Sequence, residues 1–179
     1  MSALHDLLSR DHARLDQLLA ASLRPDGSID EVSYRAFRGG LLWHIAVEER
    51  VLLPTVRMRR ANSEIERQLH RDHAALAALL VPPPSAAEIE AIRTILEAHN
   101  PLEEGPGGFY EGVEEIAGDE LPAMIARVRE VPQVRLAPHA DTEVTRRSIE
   151  QLVREAEEGR RRLREPSPPR PGGEGAEGG

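Results

Sequence analysis

Four histidines and two glutamates stand at matching places in two halves of this 179-residue chain. Each half carries an Asp-His pair opening an apolar helix, Asp11-His12 and Asp72-His73, and later a His-x-x-x-Glu. The latter are His44-Ile45-Ala46-Val47-Glu48 and His99-Asn100-Pro101-Leu102-Glu103. Imidazole and carboxylate form a ligand set of intermediate hardness that suits iron, manganese or zinc. Residues four apart on an α-helix share a face, so His44 with Glu48 and His99 with Glu103 can each aim two ligands at one interior point. His12 and His73, from facing helices, bring the set to six. Six ligands around two ions leave open or bridged positions for water, hydroxide or a small molecule, and carboxylates are the natural bridges between cations. A lone histidine on an apolar helix face is ordinarily a core or boundary residue; the duplicated spacing is what argues for metal. The expectation is a two-ion centre on His12, His44, Glu48, His73, His99 and Glu103, with His70 as a candidate seventh ligand near the face of His73.

Helices must position these groups, and the repeat extends well beyond the ligands. Arg10 to Leu19 aligns with Arg71 to Leu80 at seven identical positions of ten, and Glu48-Glu49 matches Glu103-Glu104. Two duplicated helical hairpins follow, and since neither buries an apolar face alone, together they predict an up-down-up-down four-helix bundle. Leu4, Leu7, Leu8, Leu15, Leu18 and Leu19 recur at helical spacing before Pro25-Asp26-Gly27 closes the first helix. Asp30 caps a long second helix running to Val51, with Pro54 marking its end or a kink. Gly39-Gly40 inside it costs about 2 kcal/mol of propensity relative to alanines, which predicts a close helix crossing there. Ser63 with Glu66 and Ser85 with Glu88 are capping boxes for the third and fourth helices, separated by Pro82-Pro83-Pro84. Pro101 removes one hydrogen bond inside the second His-x-x-x-Glu and disfavours helix at Asn100. Either the helix kinks there, or Glu103 leaves the face of His99.

Gly105-Pro106-Gly107-Gly108 must interrupt the fourth helix, and an amphipathic segment follows from about Phe109 to Glu130, with Pro122 in a first turn. Pro132 to Pro138 reads as an extended connector, after which Asp141 caps a charged helix to about Arg164. Its apolar positions, Val144, Ile149, Leu152, Val153 and Ala156, are sparse, which suggests an appendage on the bundle or a contact for a protein partner or a second copy. From Pro166 onward the composition predicts disorder. The expected organisation is a metal-binding bundle over 1–130, connector and charged helix over 131–165, and a tail over 166–179.

The order His, His-x-x-x-Glu, His, His-x-x-x-Glu in four helices resembles the hemerythrin-like (HHE cation-binding) domain family. The resemblance covers roughly residues 1 to 104, or to about 130 if the segment after the glycines continues it. It implies a non-haem di-iron centre inside a four-helix bundle, with His12, His44, Glu48, His73, His99 and Glu103 as ligands and iron ahead of zinc or manganese. It implies sensing, scavenging or storage of dioxygen, nitric oxide or peroxide rather than a defined turnover reaction. Oxygen-carrying members have two histidines four apart on the third helix, whereas here His70 and His73 are three apart and the fourth helix ends its motif in Glu103. Simple oxygen carriage is therefore not the expectation. A di-iron oxidative enzyme is an alternative, although the Glu-x-x-His pairs of ferritin-like oxidases occur nowhere in the chain. A zinc-stabilised or metal-free interaction bundle is another.

The remaining groups have plainer readings. Asp11 and Asp72 cannot share the direction of the histidines they precede, so they reach solvent or orient another ligand. Glu49 and Glu104 read as solvated charges first, His139 as solvated, His5 as a residue two turns from His12, and Tyr34, Tyr110 and Trp43 as core packing. A formal charge of −8 and a pI near 5.4 argue against a nucleic-acid surface. Arg57, Arg59 and Arg60 sit where cations complement a helix C-terminus. No apolar run of about 20 residues is present for a membrane span, and Met1 to Arg10 lacks a secretory pattern, so the expected location is cytoplasmic. The absence of Cys excludes disulfides, thiolate-bound zinc, iron-sulfur clusters and Cys nucleophiles. With five aromatic residues, the core must come from Leu, Ala, Val and Ile, which favours helices.

Overall fold

Residues 3–59 and 63–165 are described by the computed structural model, so the expected disordered tail lies outside the described residues. Among the described residues the chain is all helical, without strands beyond the single bridge between Leu23 and Ile29. Helices α1 (Ala3–Ser22) and α2 (Glu31–Val47) form an antiparallel hairpin, for Asp30 N–H reaches Ser22 O at the turn while Asp11 meets His44 further along. Asp30 caps α2 by accepting from Ser33 N at 2.9 Å, which satisfies one orphan amide of the first turn. A Cβ on Gly40 would stand 2.8 Å from Leu15 Cδ2, so the glycine permits the close crossing that brings His44 to α1.

The second hairpin repeats these devices. Ser63 accepts from Glu66 N and donates to the Glu66 carboxylate, both at 3.1 Å, opening α4 (Glu64–Leu79). Ser85 accepts from the Ala87 and Glu88 amides and donates to the Glu88 carboxylate, opening α5 (Ala86–Glu104). Asp72 on α4 meets His99 on α5, and α5 also lies against α1.

Both prolines that threatened the ligand helices are accommodated. Pro54 does not stop the second helix: α2 widens into a π turn, Glu48–Leu52, and continues as α3 (Leu53–Arg59). The wider turn, with Leu53 N–H bonded to Glu48 O, gives room for a ring that cannot donate. Pro101 lies within α5 near its end, and the helix continues to Glu104.

Beyond α5, Gly108 donates to Gly105 O at 2.8 Å and the chain reverses into α6 (Phe109–Ala117). A Cβ on Gly108 would lie 2.6 Å from the carbonyl oxygens of Glu103 and Gly105, so only glycine lets α6 start this close to the end of α5. A 3₁₀ turn at Gly118–Glu120 separates α6 from α7 (Leu121–Glu130), where Pro122 occupies the first turn as expected. The connector crosses α2, receiving hydrogen bonds from Trp43 at Val131 O and from Arg38 at Ala137 O, both 2.9 Å. Thr142, not Asp141, caps α8 (Glu143–Arg164), accepting from Thr145 N at 3.1 Å while Asp141 pairs with Arg146. Helix α8 lies antiparallel along α4: Ala140 N–H bonds Val81 O at one end, and Gln68 reaches Ala156 O further along.

Burial divides into two apolar layers. Leu4, Leu8, Val47, Leu52, Leu69, Phe109 and Val113 belong to one; Leu15, Leu19, Phe37, Leu41, Leu76, Ile89, Ile92 and Ala156 belong to the other. Each fully buried leucine contributes about 1.5–3 kcal/mol. The metal-ligating candidates of α1, α2, α4 and α5 occupy the level between these layers: His12 follows Leu8 and precedes Leu15, and His73 follows Leu69 and precedes Leu76. Helix α5 ends at this level, and α6 supplies the apolar side chains that α5 no longer can.

Candidate metal centre

All six predicted ligands converge in the polar level, each 0–5% exposed. Within α5, His99 Nε2 lies 3.1 Å from Glu103 Oε1, so Pro101 leaves the i, i+4 relation intact and Glu103 stays on the face of His99. His44 Nε2 lies 3.4 Å from Glu48 Oε1 on the matching pair. Across helices, His73 Nε2 is 3.1 Å from Glu48 Oε2 and 3.7 Å from Glu103 Oε1, while His12 Nε2 is 2.8 Å from His44 Nε2 and 3.3 Å from Glu103 Oε2. Each carboxylate thus turns one oxygen toward the His12/His44 side and the other toward the His73/His99 side. That is the disposition of a bridging ligand.

Two groups of donors could each hold a cation. Glu48, His73, His99 and Glu103 offer atoms within 4.8 Å of one another, as do His12, His44 and Glu103. Glu48 Oε2, His73 Nε2 and Glu103 Oε1 are sealed from solvent without a hydrogen-bond partner. Buried polar atoms are normally satisfied because an unmade bond costs about 1–3 kcal/mol. Three such atoms aimed at one another are satisfied together by a positive ion, and this orphaned set fits a metal.

Each of the four candidate histidines is held from behind by a carboxylate. Nδ1 of His44 donates to Asp11 at 2.9 Å and Nδ1 of His99 to Asp72 at 3.3 Å, each within its own hairpin. Nδ1 of His12 donates to Glu104 at 2.6 Å and Nδ1 of His73 to Glu49 at 2.9 Å, each between hairpins. Donation from Nδ1 leaves Nε2 as the inward nitrogen and raises its basicity. Asp11 and Asp72 therefore orient another ligand, one of the two roles the sequence left open. Glu49 and Glu104, read as solvated charges, do the same across the hairpins; the signal was their place in the repeated Glu-Glu dipeptides.

The electrostatics follow from this enclosure. Burial pushes His12 down, but its hydrogen bonds to Glu103 and Glu104 outweigh that and raise it to about 9. His44 is likewise disfavoured as a cation by burial, yet Glu48 and Asp11 carry it up to about 10. Burial and the neighbouring Glu103 charge raise Glu48, and the histidines His44 and His73 reverse this to about 2. Glu103 is held well below the usual range against its own burial, by His99, His12 and His73.

The other candidates lie elsewhere. His70 has a side chain 59% exposed, and its Nδ1 bonds Glu49 at 2.9 Å, on the solvent side of that carboxylate. His5 bonds Glu104 O at 3.1 Å, and exposed His139 meets Val81 O at 3.2 Å. Tyr34 and Trp43 pack in or against the apolar clusters, as expected.

Tyr110 is the residue that sequence reasoning placed in the core and missed as part of the centre. Its hydroxyl donates to Glu48 Oε1 at 2.7 Å and lies 3.2 Å from Glu103 Oε2, 3.3 Å from His44 Nε2 and 3.4 Å from His12 Nε2. Burial, then the charges of Glu103 and Glu48, push its ionisation well above the ordinary value of 10 in the absence of a cation. The only available signal was the glycine turn that folds α6 back onto the end of α5. No described helix is long and apolar enough to cross a membrane. Comparison of the chain with protein-family models, with curated proteins and with solved structures returned no match.

Proposed function

We propose that this chain is a hemerythrin-like non-haem di-iron protein whose α1, α2, α4 and α5 act as an up-down-up-down four-helix bundle around the ions. The observation that carries this reading is the orphaned trio Glu48 Oε2, His73 Nε2 and Glu103 Oε1, sealed among four inward imidazoles. His12 and His44 would hold one ion, His73 and His99 the other, with Glu48 and Glu103 shared between them. An iron pair there would supply redox-active, coordinatively open sites for a small oxygen- or nitrogen-containing ligand. The mixed nitrogen and carboxylate donors suit iron, zinc and manganese alike, and iron is put first because the order of the ligands resembles that of hemerythrin-like domains.

The chain's own residues define what can reach the ions. With every ligand side chain only 0–5% exposed, the centre disfavours a bulky organic substrate over a diatomic molecule or peroxide. The apolar layers on both sides exclude bulk water, so charges inside interact strongly. This supports sensing, scavenging or storage of dioxygen, nitric oxide or peroxide over turnover of an organic substrate.

Anaerobic loading with ferrous iron, followed by elemental analysis and visible spectra before and after air, tests the assignment. Close to two irons per chain with ferric-pair absorption is the expected result, and reversible bleaching under low oxygen would indicate binding. His44→Ala combined with His99→Ala is expected to abolish iron loading while helical circular dichroism persists. Full iron content in that variant, or zinc retained in place of iron by the unmodified protein, would overturn the di-iron reading.

A further inference from the structure

The two donor groups are unequal, and the inequality has an occupant. On the His73/His99 side four protein donors lie within 4.8 Å of one another; on the His12/His44 side, three do. Tyr110 brings a fully buried phenol oxygen to within 3.4 Å of both histidines of the smaller group and 3.2 Å of Glu103 Oε2. We infer that Tyr110 is a direct ligand of the ion on the His12/His44 side, adding a phenol oxygen beside the three donors that lie within 4.8 Å of one another there. This rests on the metal-centre reading above and deepens it.

Three observations converge on the assignment. First, α6 is locked in place: the Gly108 turn presses it against the end of α5, and Phe109 and Val113 anchor it in the apolar cluster below the centre. Second, Tyr110 departs from the internal repeat, since the duplicated hairpins end at Glu104 and only the single segment after them contributes it. One ion position therefore acquires a phenol while its twin does not. Third, the ring makes a tilted contact with Phe109 at 6.1 Å and stacks near His12 at 6.0 Å, which fixes its plane. A hydroxyl with Glu48 as its sole purpose would not need to stand within reach of three further ligand atoms.

Coordination replaces the O–H proton by the cation, and that proton leaves to solvent as it does when any protonated ligand binds a metal. A charged ion beside the oxygen inverts the penalty that burial imposes on the bare phenolate. The two iron positions would then differ in charge and in electron donation, with the phenolate on the His12/His44 side alone.

The test is resonance Raman and visible spectroscopy of the iron-loaded, air-oxidised full chain, with iron counted in the same sample. The expected result is a phenolate-to-ferric charge-transfer band with enhanced tyrosinate ring modes, lost in Tyr110→Phe and kept in Tyr34→Phe. Phenylalanine preserves the ring packing, so the first variant is expected to stay folded, and the spectrum of the unmodified protein decides the matter even if it does not. Two irons per chain without tyrosinate modes would overturn Tyr110 ligation and leave the di-iron reading standing. Tyrosinate modes that survive Tyr110→Phe would also overturn it. No iron uptake by the unmodified protein would overturn the underlying reading.

Discussion

The carboxylates behind the histidines are not equivalent, although the repeat makes them look so. Asp11 bonds His44 and is also bound by Arg14 of its own helix at the surface. Asp72 is fully buried and bonds His99, Gln68 Nε2 at 2.7 Å, and the Arg160 guanidinium delivered by α8. Removing the partner of a buried charge costs about 3–5 kcal/mol because the other charge stays desolvated, whereas an orienting carboxylate lost near the surface costs mainly metal affinity. Asp11→Asn is therefore expected to weaken metal binding about 10–100-fold with little change in melting temperature. Asp72→Asn is expected to lose affinity and also several degrees of melting temperature, since Arg160 is left half-paired. Isothermal titration with zinc, beside thermal melts of the metal-free variants, separates the two; equal melts for both would show that Arg160 contributes nothing to the hold on His99.

At the scale of elements, the chain places helix-disrupting residues beside its candidate ligands and absorbs each by a different device. The π turn at Glu48–Leu52 begins at a candidate ligand and ends two residues before Pro54. Pro101 sits close to the end of α5, and its carbonyl still accepts from Gly105 N at 3.1 Å. The His99–Glu103 pair keeps the spacing of an uninterrupted helix, 3.1 Å, so an alanine at position 101 is expected to leave it in place. Pro101→Ala restores one backbone donor, and a proline inside a helix costs about 3 kcal/mol relative to alanine, offset by about 1 kcal/mol of unfolded-chain entropy. The expected outcome is a gain of about 2 kcal/mol in urea unfolding with unchanged metal stoichiometry. A loss of bound metal would mean that the proline does aim Glu103.

For the whole molecule, the polar level sandwiched between apolar layers ties stability to protons and, on the proposed function, to metal. Without metal, the surrounding carboxylates hold the charge of His12 to about pH 9 and that of His44 to about pH 10. In the unfolded chain an imidazole loses it near pH 6.5. Folded protein thus binds more protons between these values, so this contribution is complete below about pH 6.5 and fades as pH rises toward 9–10. For Glu48 the sign is opposite: its contribution is complete above about 4.5 and lost as pH falls toward about 2. Metal binding needs neutral imidazoles, so its affinity rises over the same alkaline range. Melting of the metal-free protein is expected to drop from pH 6.5 to 9, while the loaded protein holds its melting temperature. Saturation at 1,000 times Kd would add about 4 kcal/mol. A metal-free melt that is flat across this range would show that the buried histidines carry no folding-linked proton. Sequence alone determined the four ligand-bearing helices, the two serine capping boxes, the repeat and the six candidate residues, because helical periodicity and side-chain type are local properties, whereas the π turn before Pro54, the break at Gly118 and the Thr142 cap were not legible there. Tertiary structure alone decided that Asp11 serves His44 and Glu104 serves His12, that Arg160 reaches Asp72 from α8, and that Tyr110 enters the centre. Those contacts join residues from 7 to 98 positions apart, and their partners depend on helix crossing at Gly40 and on the turn at Gly108. A repeat encodes two equal halves; only packing against the unrepeated α6 and α8 makes them unequal.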